Sequence, residues 1–301
     1  MNSGAPLDRR ALGRTLTRLA NASPLELAAL PSRQPTTTAR RIGITGAPGA
    51  GKSTLLGHLA LARLDRGRLG VLAIDPSSPK SGGAILGDRV RMDELAGMAD
   101  LYIRSLGSRR TSDGLTDNLP EMLDAMDDFG FAEVLLETVG VGQAEYAARA
   151  QVDTLVLVLL PDSGDTVQAM KAGIMELADI YVVSKADLPG ARKMAADIRR
   201  VATVMRHAPH AWVAPVLLAA QDQPASIRAL SDAIDRHQAW LADTRQHDAI
   251  RGQRARYRLR RLLEIRAAEF IAAQDTPFFS QPLERQLARL LAGLAHSHGQ
   301  P

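Results

Sequence analysis

The chain has 301 residues, with 37 basic and 33 acidic side chains for a net charge of +4, and it contains no cysteine. That length allows one sizeable core with an appendage or two, and the missing thiols exclude disulfides, iron–sulfur clusters and thiolate zinc sites. Aromatics at 4% offer little platform for stacked nucleic acid, and no run approaches the ~18 apolar residues of a membrane span; a cytoplasmic protein with neither partner is expected.

Residues 1–40 read as an N-terminal helical extension. Leu7, Leu12, Leu16 and Leu19 recur at helical spacing, and Ser23-Pro24-Leu25-Glu26 supplies an N-cap, a first-turn proline and a capping-box acid. Pro31 to Thr38 reads as a polar linker. From 41 to 241, apolar runs alternate with helical patterns. The runs are Ile42–Thr45, Val71–Ile74, Val134–Leu136, Thr154–Leu160, Ile180–Ser184 and Val213–Leu218. Near-continuous apolar strands of this kind require a mostly parallel sheet covered by helices on both faces, so an α/β fold is expected with its functional loops at the C-terminal strand ends.

Directly after the first run, Gly46-Ala47-Pro48-Gly49-Ala50-Gly51-Lys52-Ser53 fills the template G-x-x-x-x-G-K-[ST], and Thr54 opens the helical pattern behind it. Strand, glycine loop and helix in that order make a phosphate cradle. Backbone N–H groups turn inward around the anion, the helix dipole points at it, Lys52 neutralises charge and Ser53 can hold Mg²⁺. The chain has few lysines, and Lys52 and Lys185 both sit where nucleotide chemistry wants an ammonium.

Three acids follow at plausible metal or water positions. Asp75 ends the second run, Asp88 lies in Gly82-Gly83-Ala84-Ile85-Leu86-Gly87-Asp88, and Glu137 ends the third run. Mg²⁺ usually takes only one or two carboxylates. Ser53 is therefore expected as a direct ligand, with Asp75 and Glu137 acting directly or through water and Asp88 joining when its loop closes. Gly82-Gly83, Gly140-Val141-Gly142-Gln143 and Asp162-Ser163-Gly164-Asp165 supply glycines for loops that a terminal phosphate could hold and release, with Gln143 counted among the catalytic candidates beside Lys52, Asp75, Asp88 and Glu137.

A phosphate loop alone leaves kinase, ATPase and GTPase open. Ser184-Lys185-Ala186-Asp187, after the fifth run, resembles the N-K-x-D element that reads guanine: Asp187 would accept from the ring N1–H and exocyclic amine, and the Lys185 stem would cover the base. Serine stands where the element has asparagine, and its shorter side chain cannot bridge to the base edge as an amide can. Residues 242–301 read as a helical arm, Tyr257 to Gln274 and Gln281 to Leu294, with Leu283, Leu287, Leu290 and Leu291 on one stripe that must be buried on the core or on a second subunit. The arginines between 251 and 266 are spread around their helix, which suits a solvated or intersubunit surface.

With these residues in place, the chain resembles the MeaB/ArgK (MMAA-type) family of P-loop G proteins. The resemblance rests on the phosphate loop, on Asp75-Pro76-Ser77-Ser78-Pro79, on the Gly82–Met92 segment, on Glu137-Thr138-Val139-Gly140-Val141-Gly142-Gln143 and on Lys171-Ala172-Gly173-Ile174-Met175-Glu176. It implies a SIMIBI-type G domain, binding of GTP and GDP with Mg²⁺, and slow hydrolysis that a partner accelerates. The implied partner is an adenosylcobalamin-dependent acyl-CoA mutase, acting on methylmalonyl-CoA or on an isobutyryl or 2-hydroxyisobutyryl substrate. Adenosylcobalamin would sit on that mutase and not on this chain. The resemblance further implies that the loop from Leu160 to Ile174 senses the mutase and that the C-terminal helices form a homodimer. Departures from the family pattern are Ser184, Asp162-Ser163, Lys80, Arg109-Arg110-Thr111-Ser112-Asp113-Gly114 and the loose Leu218-Ala219-Ala220. Two other readings share the phosphate loop: a kinase or ATPase of an amino-acid transport system, and a nickel-delivering GTPase, which would want clustered Cys and His ligands.

Overall fold

The computed structural model describes residues 6–31, 38–75, 98–107, 115, 118–138, 143–161, 173–204, 211–220 and 223–295. Its centre is a seven-stranded sheet, every neighbouring pair parallel, in the order β3-β2-β4-β1-β5-β6-β7. In chain order the strands are β1 (Arg40–Gly46), β2 (Leu69–Asp75), β3 (Leu101–Gly107), β4 (Glu133–Glu137), β5 (Thr154–Leu159), β6 (Ile180–Val183) and β7 (Val216–Leu218). The apolar runs form strands because residues on both faces of the sheet are buried. Val156 and Val158 of β5 pack on one side with α3 (Lys52–Arg63), while Leu155, Leu157 and Leu159 pack on the other.

On the α3 face, Leu55, Leu56 and Leu59 meet Ile42, Ile44 and Val71, joined by Leu230 and Ile234 of α7 (Pro224–Asp243). A buried Arg63 ties these two helices together. Its guanidinium donates to Glu133 at 2.6 and 2.7 Å and to Ser231 Oγ at 2.8 Å. The opposite face holds α1 (Arg9–Asn21), α4 (Leu119–Asp128) and α5 (Gln143–Arg149), with Leu12, Leu16 and Leu19 packed among Leu119, Met122 and Met126. As the sequence predicts, α2 (Pro24–Ala28) opens with a capping box: Ser23 Oγ accepts from the Glu26 N–H, and Glu26 accepts from the Ser23 N–H at 2.7 Å. Beside β6, α6 (Ala191–Val204) buries Ala191, Ala195 and Ile198.

Two features depart from the sequence expectations. Strand β3 is absent from the apolar runs because Arg104 and Ser105 interrupt it. Among the described residues it is an edge strand paired only with β2, and α1 packs on the sheet face that carries Tyr102 and Leu106. Arg9 donates to the carbonyls of Met98 and Leu101, and the Arg104 guanidinium donates to Gly13 O and Thr17 Oγ1, each at 3.0 Å. The two arginines thus tie β3 to α1, and Arg9 occupies one of the strand's carbonyls.

The second correction concerns the arginines of the C-terminal helix, α8, which runs from His247 to Ala272, ten residues earlier than its periodicity suggests. They are not all solvated. Arg254 is mostly buried and reaches Asp153 Oδ1 at 2.8 Å, and Arg258 reaches Glu121 Oε1 at 2.8 Å. Buried Arg41 pairs with Asp127 Oδ2 at 2.8 Å and Asp124 Oδ1 at 3.0 Å beside them. Burial opposes the charge on Arg41, and the two facing carboxylates restore it, leaving its pKa above the ordinary arginine value. This network lies at the N-terminal ends of β1 and β5 and fastens α8 to the sheet. Beyond it comes the short α9 (Thr276–Phe279), and the chain returns along α8 as α10 (Leu283–Ala295).

Candidate functional site

The C-terminal ends of β1, β4, β5 and β6 share one edge of the sheet, and the sequence-predicted residues collect along it. Strand β1 ends at Gly46, whose φ is +145° and whose place could not hold a side chain: a Cβ would fall 2.1 Å from the Val158 carbonyl oxygen of β5. Glycine lets the chain leave the strand in close contact with its neighbour. Ala47, Pro48, Gly49 and Ala50 make the turn, with the Ala50 N–H donating to Ala47 O at 3.2 Å. At Gly51 the chain enters α3 with no side-chain cap on the first helical turn. The N-terminal N–H groups and the dipole of this 12-residue helix then face the loop, which is the arrangement that receives an anion.

Lys52 is buried, and its Nζ donates to Gly46 O at 2.8 Å and Ala47 O at 3.0 Å. The ammonium is folded back over the loop that precedes it. Burying that charge is tolerable because carbonyl oxygens surround it. Ser53 Oγ donates to Glu137 Oε1 at 2.7 Å, bringing the first turn of α3 to the last residue of β4. Asp75 is the last residue of β2, one strand further out. Gln143 is the first residue of α5, and Thr54 follows Ser53 in α3. Asp88 lies outside the described residues, as do Gly82-Gly83, 139–142 and 162–172.

Two residues joined to this site were not singled out as candidates from the sequence. Thr138 Oγ1 donates to Thr45 Oγ1 at 3.0 Å with both side chains buried, and the Thr138 N–H donates to Ile44 O at 3.1 Å. Thr45 immediately precedes the phosphate loop and Thr138 immediately follows Glu137, so the pair locks the two strand ends to each other. Their position in the Glu-Thr-Val-Gly segment is the one sequence signal that could have drawn attention to them.

On the far side of β5, Ser184 leaves β6 buried, while Lys185 and Asp187 are exposed and Lys185 takes a left-handed φ of 47°. The Ala186 N–H donates to Ala219 O at 3.1 Å, placing this turn against the end of β7. The structure thus brings Gly46–Ser53 and Glu137 into contact and sets Ser184, Lys185 and Asp187 two strands away on the same edge.

Two marked pKa displacements lie elsewhere, at the N-terminal end of β6. Burial pushes the Asp179 carboxyl up to about 6 and the His237 imidazole down to about 3. Gln238 Nε2 donates to Thr154 Oγ1 at 2.7 Å, and that hydroxyl lies 2.9 Å from His237 Nδ1. On the other side of the ring, His237 Nε2 faces Asp179 Oδ1 at 3.4 Å. Among the described residues, no group of three His, Cys, Asp or Glu side chains forms a metal cage, and no helix is long and apolar enough to cross a membrane.

Residues 13–275 match the family described as methylmalonyl-CoA mutase-associated GTPase MeaB. A probable GTPase of Mycobacterium tuberculosis is 40% identical over 260 residues, which is 81% of this chain and 75% of that protein. The mitochondrial methylmalonic aciduria type A homolog of Mus musculus is 40% identical over 176 residues, 57% of this chain and 42% of that protein. A crystal structure described as a LAO/AO transport system kinase superposes with a TM-score of 0.62 over 97% of this chain and 100% of its own; at 21% identity the likeness is one of fold alone.

Proposed function

Because the chain belongs to the MeaB family of methylmalonyl-CoA mutase-associated GTPases, we propose that it uses its GTP cycle to gate adenosylcobalamin loading and to protect or reactivate a B12-dependent acyl-CoA mutase. The mutase is methylmalonyl-CoA mutase or a relative that rearranges an isobutyryl or 2-hydroxyisobutyryl thioester. The observation that carries this reading is the phosphate loop closed by Lys52 on two of its own carbonyls, with Ser53 held to Glu137 at its mouth.

In this reading Gly46–Thr54 wraps the phosphates, Lys52 neutralises their charge, and Asp187 reads the guanine edge while the Lys185 stem lies along the base. Oxygen donors suit a hard divalent cation, and Ser53 with Glu137 offers a hydroxyl and one carboxylate. Mg²⁺ is usually held so, by few protein ligands completed with water and phosphate oxygens. The ion would supply charge neutralisation at the terminal phosphates. Asp75 and Asp88 join this shell through water, and Gln143 orients the attacking water. Hydrolysis is slow until the mutase orders the surrounding loops.

The chain divides into an extension (1–40), a G domain (41–241) and a dimerisation arm (242–301). Support for the arm comes from its exposed leucines: Leu283, Leu287 and Leu291 are 78%, 51% and 58% exposed along one side of α10. Aliphatic faces of that kind suit a second copy of the same arm.

Titration with GTP and ATP in Mg²⁺, followed by pull-down of the candidate mutase with GDP or a GTP analogue bound, tests the proposal. The wild type is expected to bind GTP, Lys52→Ala to bind neither nucleotide, Asp187→Ala to lose the preference for guanine, and the mutase to be retained in one nucleotide state. A wild-type preference for ATP, or no association in either state, would overturn it.

A further inference from the structure

The base site differs from an asparagine-bearing one in a way that changes which atoms of guanine are read. Guanine offers donors at N1 and its 2-amino group and acceptors at O6 and N7. A carboxylate is an acceptor only, so Asp187 can read the donor pair and nothing else; the acceptors need a donor. Serine has a single O–H to give. That of Ser184 donates to Leu159 O at 3.2 Å, and the Ser184 N–H donates to the same carbonyl at 2.9 Å. Both donors of Ser184 are therefore engaged within the β5–β6 pairing, and the residue is buried.

Two neighbouring backbone donors, the N–H groups of Ala186 and Ala219, are spent on strand-end carbonyls as well. The Ala219 N–H donates to Val183 O at 2.9 Å, and Ala219 O accepts from Ala186. Ala220 O accepts from the Gln223 N–H at 3.2 Å and from Ser226 Oγ at 3.3 Å.

We propose that Ser184 gives no hydrogen bond to N7 of the purine, so that the site selects guanine at the donor edge facing Asp187 and accepts a guanosine triphosphate that lacks N7. The inference rests on the nucleotide reading above. Its probe is 7-deazaguanosine triphosphate, in which N7 is replaced by C–H while the edge facing Asp187 is unchanged.

Wild type and Ser184→Ala are each expected to bind this analogue and GTP within about 2-fold of each other, because no hydrogen bond is lost. Ser184→Asn, which restores an amide donor, is expected to favour GTP over the analogue by roughly 5-fold, the scale of one added hydrogen bond. A wild-type preference for GTP of about 5-fold or more would overturn the proposal, and its disappearance in Ser184→Ala would show that the hydroxyl reads N7. Wild type and Ser184→Ala decide the matter even where Ser184→Asn does not fold. If folded wild type binds neither nucleotide, the nucleotide reading fails and this inference with it; if GTP binds and only the ratio departs, this inference alone fails.

Discussion

The sharpest steric test of the phosphate loop is a pair of alanines at Gly46 and Gly49. At Gly46 a methyl group would lie 2.1 Å from the Val158 carbonyl oxygen, on backbone held in register between β1 and β5, and the φ of +145° is one that L residues avoid. Relieving that contact means opening the sheet by about 1 Å at its functional edge, where both atoms belong to packed strands with nowhere to yield. We expect Gly46→Ala to lose roughly 3–5 kcal/mol of stability and to melt roughly 10 °C lower, at about 2–4 °C for each kcal/mol. The same displacement carries the loop amides away from the proposed phosphate site, so GTP binding is expected to weaken, and a misplacement of that size costs on the order of 100-fold in hydrolysis rate. Gly49 has a left-handed φ of 79°, but a methyl group there would meet nothing within 4 Å, so Gly49→Ala carries only the left-handed cost of about 1–2 kcal/mol. Thermal denaturation with and without GTP, alongside equilibrium titration of the nucleotide, separates the two variants. A Gly46→Ala protein melting within about 3 °C of wild type, or Gly49→Ala falling as far as Gly46→Ala, would refute the steric reasoning.

Two further outcomes follow from other parts of the molecule. Replacing Leu283, Leu287 and Leu291 together by Asp removes an apolar face that the fold leaves exposed, so the wild type is expected to sediment as a dimer and the variant as a folded monomer of unchanged helix content; a wild-type monomer at micromolar concentration contradicts the arm's role. His237 and Asp179 have opposite effects on stability in mild acid. Asp179, raised to about 6, contributes stability that is present below the ordinary carboxylate value and lost as pH rises through 6, whereas His237, depressed to about 3, contributes stability that is present above the ordinary imidazole value and lost as pH falls toward 3. Removing the imidazole in His237→Gln leaves Asp179 unopposed. Relative to wild type, the variant should then gain up to about 1.4 kcal/mol per pH unit as pH falls from about 6 to about 4.5, read from urea midpoints, and a flat difference across that range counts against it.

What could be read in the sequence was what depends on backbone chemistry and local periodicity. The glycines of 46–51 are demanded by turns no other residue makes, so the loop declares itself, and the capping box at Ser23 and Glu26 is closed within four residues. Interactions between distant residues were harder to foresee. Strand β3 holds its place through Arg104 and α1, some 90 positions upstream, and a polar edge strand has no apolar run to announce it. The hydroxyl pair Thr45–Thr138 spans 93 residues and the Arg254–Asp153 pair 101, so neither has a local signal. Helical periodicity places Arg254 and Arg258 on a helix but does not say which side of it meets acids.

The arginine–acid pairs of α8 lie at the opposite end of the sheet from the phosphate loop. The Arg254–Asp153 and Arg258–Glu121 pairs, with Arg41 between Asp124 and Asp127, lie at the N-terminal strand ends, whereas Gly46, Glu137 and Ser184 lie at the C-terminal ends of strands of the same sheet. Breaking one member of a buried pair costs about 3–5 kcal/mol because it strands the other charge. Such a network therefore resists rearrangement, and α8 is fixed to the end of the sheet that takes no part in phosphate chemistry. The proposed assembly through α8 and α10 would leave the proposed nucleotide edge uncovered, with the strands of the sheet between the two. Under the proposed function, the arm and the nucleotide site lie at opposite ends of the sheet, so a variant that separates the proposed dimer should retain nucleotide binding in an equilibrium titration.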